Sequence, residues 1–425
     1  MGDLLVYISL FLIWAMLFYH TFLMFGGYLH NSKYQTFKKI IHSNPPALPI
    51  VSVLIPAHNE AVVIEDTLKA MTKLNYPKNK LEIILINDNS SDNTGLIAEK
   101  FSSQYPYIKV VHTLPPFAGK GKSSALNYGF SKSKGEMIVV YDADNLPEPD
   151  AVMNLALALA KDKKAGAVVG KFRVINAGKN LLTRLINSET LTFQWLAQAG
   201  RWYWFKMATI PGTNFAIRRS ILEESGGWDE KALSEDTELS IRVYNMGFHI
   251  RFFPAAVTWE QEPENLRVWW RQRTRWARGN LYVILKYLLQ FHKLKNKKVL
   301  LDLFYFFFTY YLFFGGVLLS HGIFVTNLFY DLELTIGTVS YVLLIAGFLL
   351  FVTEVCLALS LEKNQLNVKN FFTVLFMYFT YSQLWVALVI YASFLETKRV
   401  ILKQDSVWYK TQRFKQPAEE KNTAS

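Results

Sequence analysis

The sequence predicts an α/β domain with a mostly parallel sheet, set between transmembrane helices. Three observations lead there. Short β-branched runs alternate with helical segments four times from Val51 onward. Apolar blocks long enough to cross a bilayer flank that region on both sides. Polar residues (Glu60, Asp88, Lys122, Asp142 and Asp144) stand just beyond the ends of the runs, where open α/β sheets bind ligands.

The first block, Leu4 to Phe25, carries no formal charge. It starts after Asp3 rather than a basic region, its apolar core is long, and no small-x-small cleavage site follows, so it reads as a retained helix rather than a cleaved signal. The expected organisation is a transmembrane helix over 1–28, a linker over 29–50 ending in the stiff His42–Pro49 stretch, and the α/β domain over 51–262. Basic amphipathic helices over 263–299, transmembrane helices over 300–396 and a polar tail over 397–425 complete it. Leu303–Tyr330, Thr335–Leu361 and Phe371–Phe394 are the later apolar blocks, with Glu354 their one formally charged residue.

Within the domain, Val51 to Pro56 is a strand, followed by a helical segment opened by Ala57-His58-Asn59-Glu60. Glu82 to Ile86 is a second strand, and Ser91 or Asp92 suits the N-cap of the helix through Lys100. Lys109 to Leu114 leads to Gly119-Lys120-Gly121-Lys122 and a helix from about Ser123. Met137 to Tyr141 is the fourth strand. Asp142 and Asp144 follow it at a spacing of two, so both side chains leave on one side. Two hard oxygen ligands suit Mg²⁺ or Mn²⁺, which completes its shell with water and phosphate oxygens. Taken alone, the pair fits a solvated turn before Asn145-Leu146-Pro147 equally well.

Other motifs are individually weak. Gly121-Lys122-Ser123 resembles the end of a phosphate loop, but position 116 is Pro where that loop needs Gly. No Gly-x-Gly-x-x-Gly follows the first strand, which argues against a dinucleotide site. Pro211-Gly212-Thr213-Asn214 is a turn before the strand Phe215–Arg218. Glu235 and Asp236 open a helix, where acids suit the dipole without any catalytic role. Trp269, Trp270, Arg271, Arg273, Arg275 and Trp276 suit an amphipathic helix in the membrane interface, and equally the stacking of sugar and the pairing of phosphate.

The net charge of +12 points to a membrane surface rather than nucleic acid. Ten Lys and Arg and no acids lie between Arg267 and Lys298, directly before an apolar block, and no nucleic-acid motif accompanies them. The single Cys356 excludes a disulfide framework.

With these residues assembled, the chain resembles the family-2 glycosyltransferases, whose catalytic domain has the GT-A fold. Among them it is most similar to the membrane-embedded processive synthases of bacterial poly-N-acetylglucosamine, hyaluronan and cellulose. The resemblance runs from about Val51 to Gly279 and rests on Asp142-Ala143-Asp144, Ser234-Glu235-Asp236 and Gln272-x-x-Arg275-Trp276, in that order between membrane segments. It implies that Glu60 and Asp88 hold the uridine of a UDP-sugar and that Lys122 approaches its phosphates. It further implies that Asp142 contacts the nucleotide and Asp144 binds Mg²⁺ or Mn²⁺ on the diphosphate. Gly212 and Thr213 would lie beside the acceptor, Glu235 and Asp236 would be the catalytic carboxylates with Asp236 the general base, Gln272 and Arg275 would close over the diphosphate, and Trp276 would stack under the acceptor sugar. The implied enzyme inverts the anomeric centre and polymerises a β-linked exopolysaccharide, with UDP-N-acetylglucosamine the favoured donor. Its implied partners are the UDP-sugar, the growing polysaccharide, membrane lipid and an accessory membrane subunit, and its place is the plasma membrane with the catalytic domain cytoplasmic.

Two competitors stand beside it. A non-processive enzyme would add one sugar to a lipid. A transporter with a nucleotide-sensing domain would need ionisable groups inside the membrane blocks, which are nearly free of them. Topology poses a conflict. Four spans put the tail opposite the catalytic domain, yet Lys398, Arg399 and Lys403 follow the last block and belong on the cytoplasmic side. Either Leu303–Tyr330 is broken, with Gly315-Gly316 the expected place, or another block is re-entrant.

Overall fold

The structure is a computed structural model that describes residues 2–330, 337–402 and Phe414. Thr335 and Ile336 of the third apolar block, and residues 403–413 and 415–425 of the expected polar tail, lie outside the described residues. Eight strands, β1 (Val51–Ala57), β2 (Leu81–Asn87), β3 (Ile108–His112), β4 (Met137–Val140), β5 (Leu146–Pro147), β6 (Ala165–Val174), β7 (Phe215–Arg218) and β8 (His249–Glu260), form one sheet in the order β3-β2-β1-β4-β7-β6-β8-β5. The first four strands are parallel, as their helical crossovers require. β7 then runs antiparallel to both β4 and β6, so the whole sheet is mixed.

Alternation along the strands divides the core. Leu54, Ile84, Ile86, Ile138 and Val140 face one side, where Trp195, Leu23 and Leu303 join them. Val53, Ile55, Ile83, Leu85 and Val139 face the other, against Leu68, Leu155 and Leu159. β1 continues through Pro56, which the sequence reading took as its end. Leu54 accepts from Tyr141 on the β4 side, so the missing N–H of Pro56, two residues on, faces the place where β4 has ended. The helix after β2 is Thr94–Gln104 and has Asn93 at its N-cap, not Ser91 or Asp92. Asp92 still serves it, since its carboxylate accepts from the Thr94 N–H at 3.0 Å.

The first helix runs from Gly2 to Ser43, well past residue 28. Its second half is held by the α/β domain: Ile41 is fully buried, Phe37 packs edge-on to Phe253, and His42 Nε2 lies 2.8 Å from Asn154 Oδ1. Asp3–Ser43, Lys298–Phe329 and Val342–Ser360 are long and apolar enough to cross a membrane. Lys298–Phe329 does not break at Gly315-Gly316. Its irregularity is the π-helical turn Phe308–Phe313 just before. Gly316 instead permits close helix packing, for a Cβ there would stand 2.9 Å from Leu12 Cβ, and Ser9 Oγ donates to its carbonyl at 2.8 Å. The break comes later: Val368–Phe379 and Tyr381–Ile401 meet at a 40° bend around Thr380.

Both ends of that bent pair meet the α/β domain or the helix Leu266–Leu288 that follows it. Glu362, just before it, accepts from Lys171 at 2.5 Å, Arg173 at 2.6 Å and Trp195 at 3.0 Å. Near its end, Glu396 accepts from Arg278 at 3.2 Å and Arg399 at 2.7 Å. Beyond it, the backbone N–H and carbonyl of Phe414 pair with the Gln261 amide at 2.8 and 2.7 Å.

Candidate active site

The site gathers at the carboxyl ends of β2, β1 and β4, which are neighbours in the sheet. Glu60 follows β1, and its N–H donates to Thr94 Oγ1 at 2.7 Å. Asp88 follows β2. Its Oδ1 accepts from Thr113 Oγ1 at 2.8 Å and from the Gly119 N–H at 2.7 Å, which ties it to the glycine loop. Gly121, at φ +96°, precedes the helix Lys122–Lys132. Asp142 and Asp144 follow β4. Because β7 is antiparallel, with Phe215 opposite Val140, the turn before it arrives at the same rim. Thr213 Oγ1 there accepts from the Asp142 N–H at 3.1 Å and also bonds Asn145.

Charge is concentrated around Lys122. Its Nζ lies 2.6 Å from Asp142 Oδ1 and 3.8 Å from Glu235 Oε1, and donates to the Gly212 carbonyl at 3.0 Å. Burial disfavours the ammonium, but Asp142, Glu235 and Asp236 outweigh it and hold the lysine pKa above its usual value. Asp236 Oδ1 accepts from the Thr237 N–H at 2.7 Å. Its other oxygen faces Gly212, where a Cβ would come within 2.9 Å; with φ at +87°, that position is a glycine for both reasons. Burial first, and the neighbouring Glu235 second, push the Asp236 carboxyl up to about 7 against the opposing pull of Lys122, Thr237 and Arg275. A carboxylate tuned in this way is a competent proton acceptor near neutral pH.

The remaining residues come from the helix Leu266–Leu288. It passes so close to the loop before Glu235 that a Cβ on Gly279 would fall on Ser234 Oγ. Gln272 is buried, and Trp276, 38% exposed, lies over Arg273, whose Cζ is 4.0 Å from the ring. One expectation changes here. Trp269 is fully buried and donates to Tyr381 OH at 2.8 Å, so it is an interhelical contact and not a membrane anchor. Trp270 is half-buried against Tyr391. The structure also brings in residues that the sequence reading passed over: Glu189, Arg273, Tyr381 and Trp385. Arg273 carried a signal in its Trp- and Arg-rich stretch. Glu189, Tyr381 and Trp385 carried none, since only tertiary packing unites them.

Glu60, Asp88, Lys122, Asp142, Asp144, Gly212, Thr213, Glu235, Asp236, Gln272, Arg275 and Trp276 all line one cavity of about 1340 Å³. It continues from the sheet rim between the long apolar helices. Among the described residues no group of three or more His, Cys, Asp or Glu forms a protein metal cage. Buried Asp144 beside Asp142 fits instead a cation that completes its shell with water and substrate oxygens.

The family model described as "Glycosyltransferase like family 2" matches residues 46–279. The chain is 65% identical over 419 residues to the "Probable glycosyltransferase YdaM" of Bacillus subtilis (strain 168), covering 98% of this chain and 99% of that protein. It is 30% identical over 236 residues to the poly-beta-1,6-N-acetyl-D-glucosamine synthase of Staphylococcus epidermidis, covering 56% of each. Among solved structures, the mannosyltransferase PcManGT from Pyrobaculum calidifontis, in complex with GDP-Man and Mn²⁺, superposes with a TM-score of 0.59 at 20% identity, over 92% of this chain and 99% of that one. At that identity the likeness is one of fold, the GT-A type.

Proposed function

The chain belongs to glycosyltransferase family 2, and from that premise we propose a processive, inverting membrane synthase that builds a β-linked polysaccharide from a UDP-sugar, UDP-N-acetylglucosamine first among the donors. The observation that carries this reading is the continuous cavity. It is lined by Asp236 and Trp276 near the rim and also by Ile13 and His20 of the first helix and by Tyr310, Phe324 and Phe351 of the later apolar helices. A chain lengthened at the rim has a path between the membrane helices.

In this reading Glu60 and Asp88 hold the nucleoside, while Lys122, Gln272 and Arg275 face the diphosphate. Asp236 accepts the proton of the acceptor hydroxyl as that oxygen bonds the anomeric carbon and the bond to the diphosphate breaks. UDP leaves with the bonding electron pair and the anomeric centre inverts. Lys122 and Arg275 stabilise the charge that grows on the leaving group where water is scarce. Mg²⁺ or Mn²⁺ held by Asp144 would supply further neutralisation of that charge. The raised pKa of Asp236 makes it a stronger base than an exposed aspartate.

The bent helix pair answers the topology conflict. It starts beside Lys171 and Arg173 and ends beside Arg278, so we read it as entering and leaving the membrane on the catalytic side. Three crossings then remain, and Lys398 and Arg399 fall on the side that carries the catalytic domain, as basic residues do in cytoplasmic loops. A second reading, transfer of one sugar to a lipid, is favoured by the apolar side chains along the membrane part of the cavity. Purified enzyme incubated with radiolabelled UDP-N-acetylglucosamine separates the two: a size ladder of polysaccharide supports the first, a single organic-extractable product the second. No transfer from any of a panel of UDP-sugars would overturn both.

A further inference from the structure

Buried Arg273 has a role that the motif around it does not specify. It is 1% exposed, and a guanidinium so deep requires compensation. Glu189, on the helix Leu181–Thr192, supplies it: Glu189 Oε2 accepts from Arg273 Nη2 at 2.8 Å. Glu262 lies 3.6 Å from the same nitrogen. The remaining Glu189 bonds reach the last helix, for Oε2 also accepts from Tyr381 OH at 2.8 Å and Oε1 from Trp385 Nε1 at 2.7 Å. Tyr381 OH in turn accepts from Trp269 Nε1, which returns the network to the helix it started from.

Arg273 passes this fixation on to two site residues. Its Nη1 donates to Gln272 Oε1 at 2.7 Å. Held by its oxygen, the Gln272 amide keeps its NH₂ group as the end left to donate, which suits the diphosphate and not an acceptor hydroxyl proton. The Arg273 guanidinium also lies against the Trp276 ring at 4.0 Å, which sets the plane of the indole. One carboxylate, 84 residues before Arg273 in the chain, therefore governs both the donor-facing amide and the acceptor-facing ring.

We propose that Glu189 is a positioning residue for glycosyl transfer. Through Arg273 it orients Gln272 and Trp276, and through Tyr381 and Trp385 it makes that orientation depend on the docking of the bent helix pair. The proposal rests on the roles given above to Gln272 and Trp276, but not on the identity of the sugar or on processivity.

The test uses the full chain in detergent or nanodiscs and the nucleotide sugar that the wild type turns over from a panel of UDP- and GDP-sugars. Nucleotide release counts transfers whether the product is polymer or glycolipid. Glu189→Gln keeps the shape but removes the charge, and a loss of geometry of about 1 Å at a reacting group costs about 10²-fold; kcat should fall at least about tenfold. The double variant Glu189→Leu with Arg273→Met replaces the buried pair by apolar groups of similar size, an exchange that is often neutral for stability. It should melt like the wild type and remain slow. Asp162→Asn weakens the pairing with His249 and Arg251, which lies outside the cavity and touches neither the network nor the bent helix pair; it should lower the melting temperature while kcat per folded molecule is kept. If the double variant melts normally and turns over at the wild-type rate, or if Glu189→Gln matches Asp162→Asn in losing stability alone, the network is structural and the proposal fails.

Discussion

The two halves of the cavity are built differently. The sheet-rim half takes Glu60, Asp88, Asp142 and Asp144 from the ends of adjacent parallel strands, so each residue's place follows from the strand that precedes it. The membrane-facing half takes Trp276 and Gln272 from an amphipathic helix and fixes them through Glu189, Tyr381 and Trp385, residues that lie 84 to 196 positions from their partners in sequence. The first half is rigid because a sheet ladder holds it. The second is held by a few polar contacts between helices, and its geometry changes if those helices move. In the proposed reading, the nucleoside and the metal on its diphosphate are handled by the first. Contact with the acceptor, which that reading has advance after each transfer, sits mainly on the second, together with the Gln272 amide that faces the diphosphate.

Perturbing each half in turn sharpens that contrast. The largest effect is expected from metal removal, which acts on the rim: EDTA should abolish nucleotide release and Mg²⁺ or Mn²⁺ should restore it, and full activity in EDTA would end the assignment of Asp144. Next comes Asp236→Asn. The amide can still accept from the Thr237 N–H, so the fold should survive, while turnover drops about 10²–10⁴-fold through loss of the base. UDP affinity, measured by calorimetry, should barely change.

On the membrane-facing half, Trp276→Ala should shorten the product while UDP affinity stays near wild type, whereas Arg275→Ala should weaken both UDP retention and turnover. Equal behaviour of the two variants would erase the division between donor and acceptor contacts. A smaller effect concerns pH. With the Asp236 carboxyl near 7, the free enzyme holds the base protonated and inactive below that pH, so kcat/KM should fall about tenfold per unit on the acid side. A flat profile down to pH 5 would mean that another group takes the proton. Smallest is Trp269→Phe, which deletes the indole bond to Tyr381 and part of a buried ring. It should lower stability by about 1–2 kcal/mol in thermal unfolding without releasing the protein from the membrane fraction, because Trp269 faces helices and not lipid.

What could be read from the sequence follows the same division. Strand ends, the spacing of Asp142 and Asp144, and long uncharged blocks are local signals, since backbone alternation and bilayer thickness act on consecutive residues. They sufficed for the α/β domain, its long apolar flanking helices and the carboxylates at the rim. They did not suffice where position depends on a distant partner. Trp269 lies in a Trp- and Arg-rich stretch that suits a membrane interface, yet Tyr381 buries it against the last helix, while Trp276 of the same helix lines the cavity. Gly315-Gly316 looked like a break and proved to be a close helix crossing, because Leu12 and Ser9 of the first helix arrive there. The bend at Thr380 had no strong local mark; it appears only when Glu362 and Glu396 are both seen tied to the catalytic unit. The amino-acid sequence by itself determined the alternating strands and helices of the parallel half, the long apolar helices and the carboxylates that stand at the rim. Only the tertiary structure decided the antiparallel entry of β7, the orientation of Gln272 and Trp276, and the path of the last helices, because each of these depends on a contact whose free energy is shared between residues far apart in the chain.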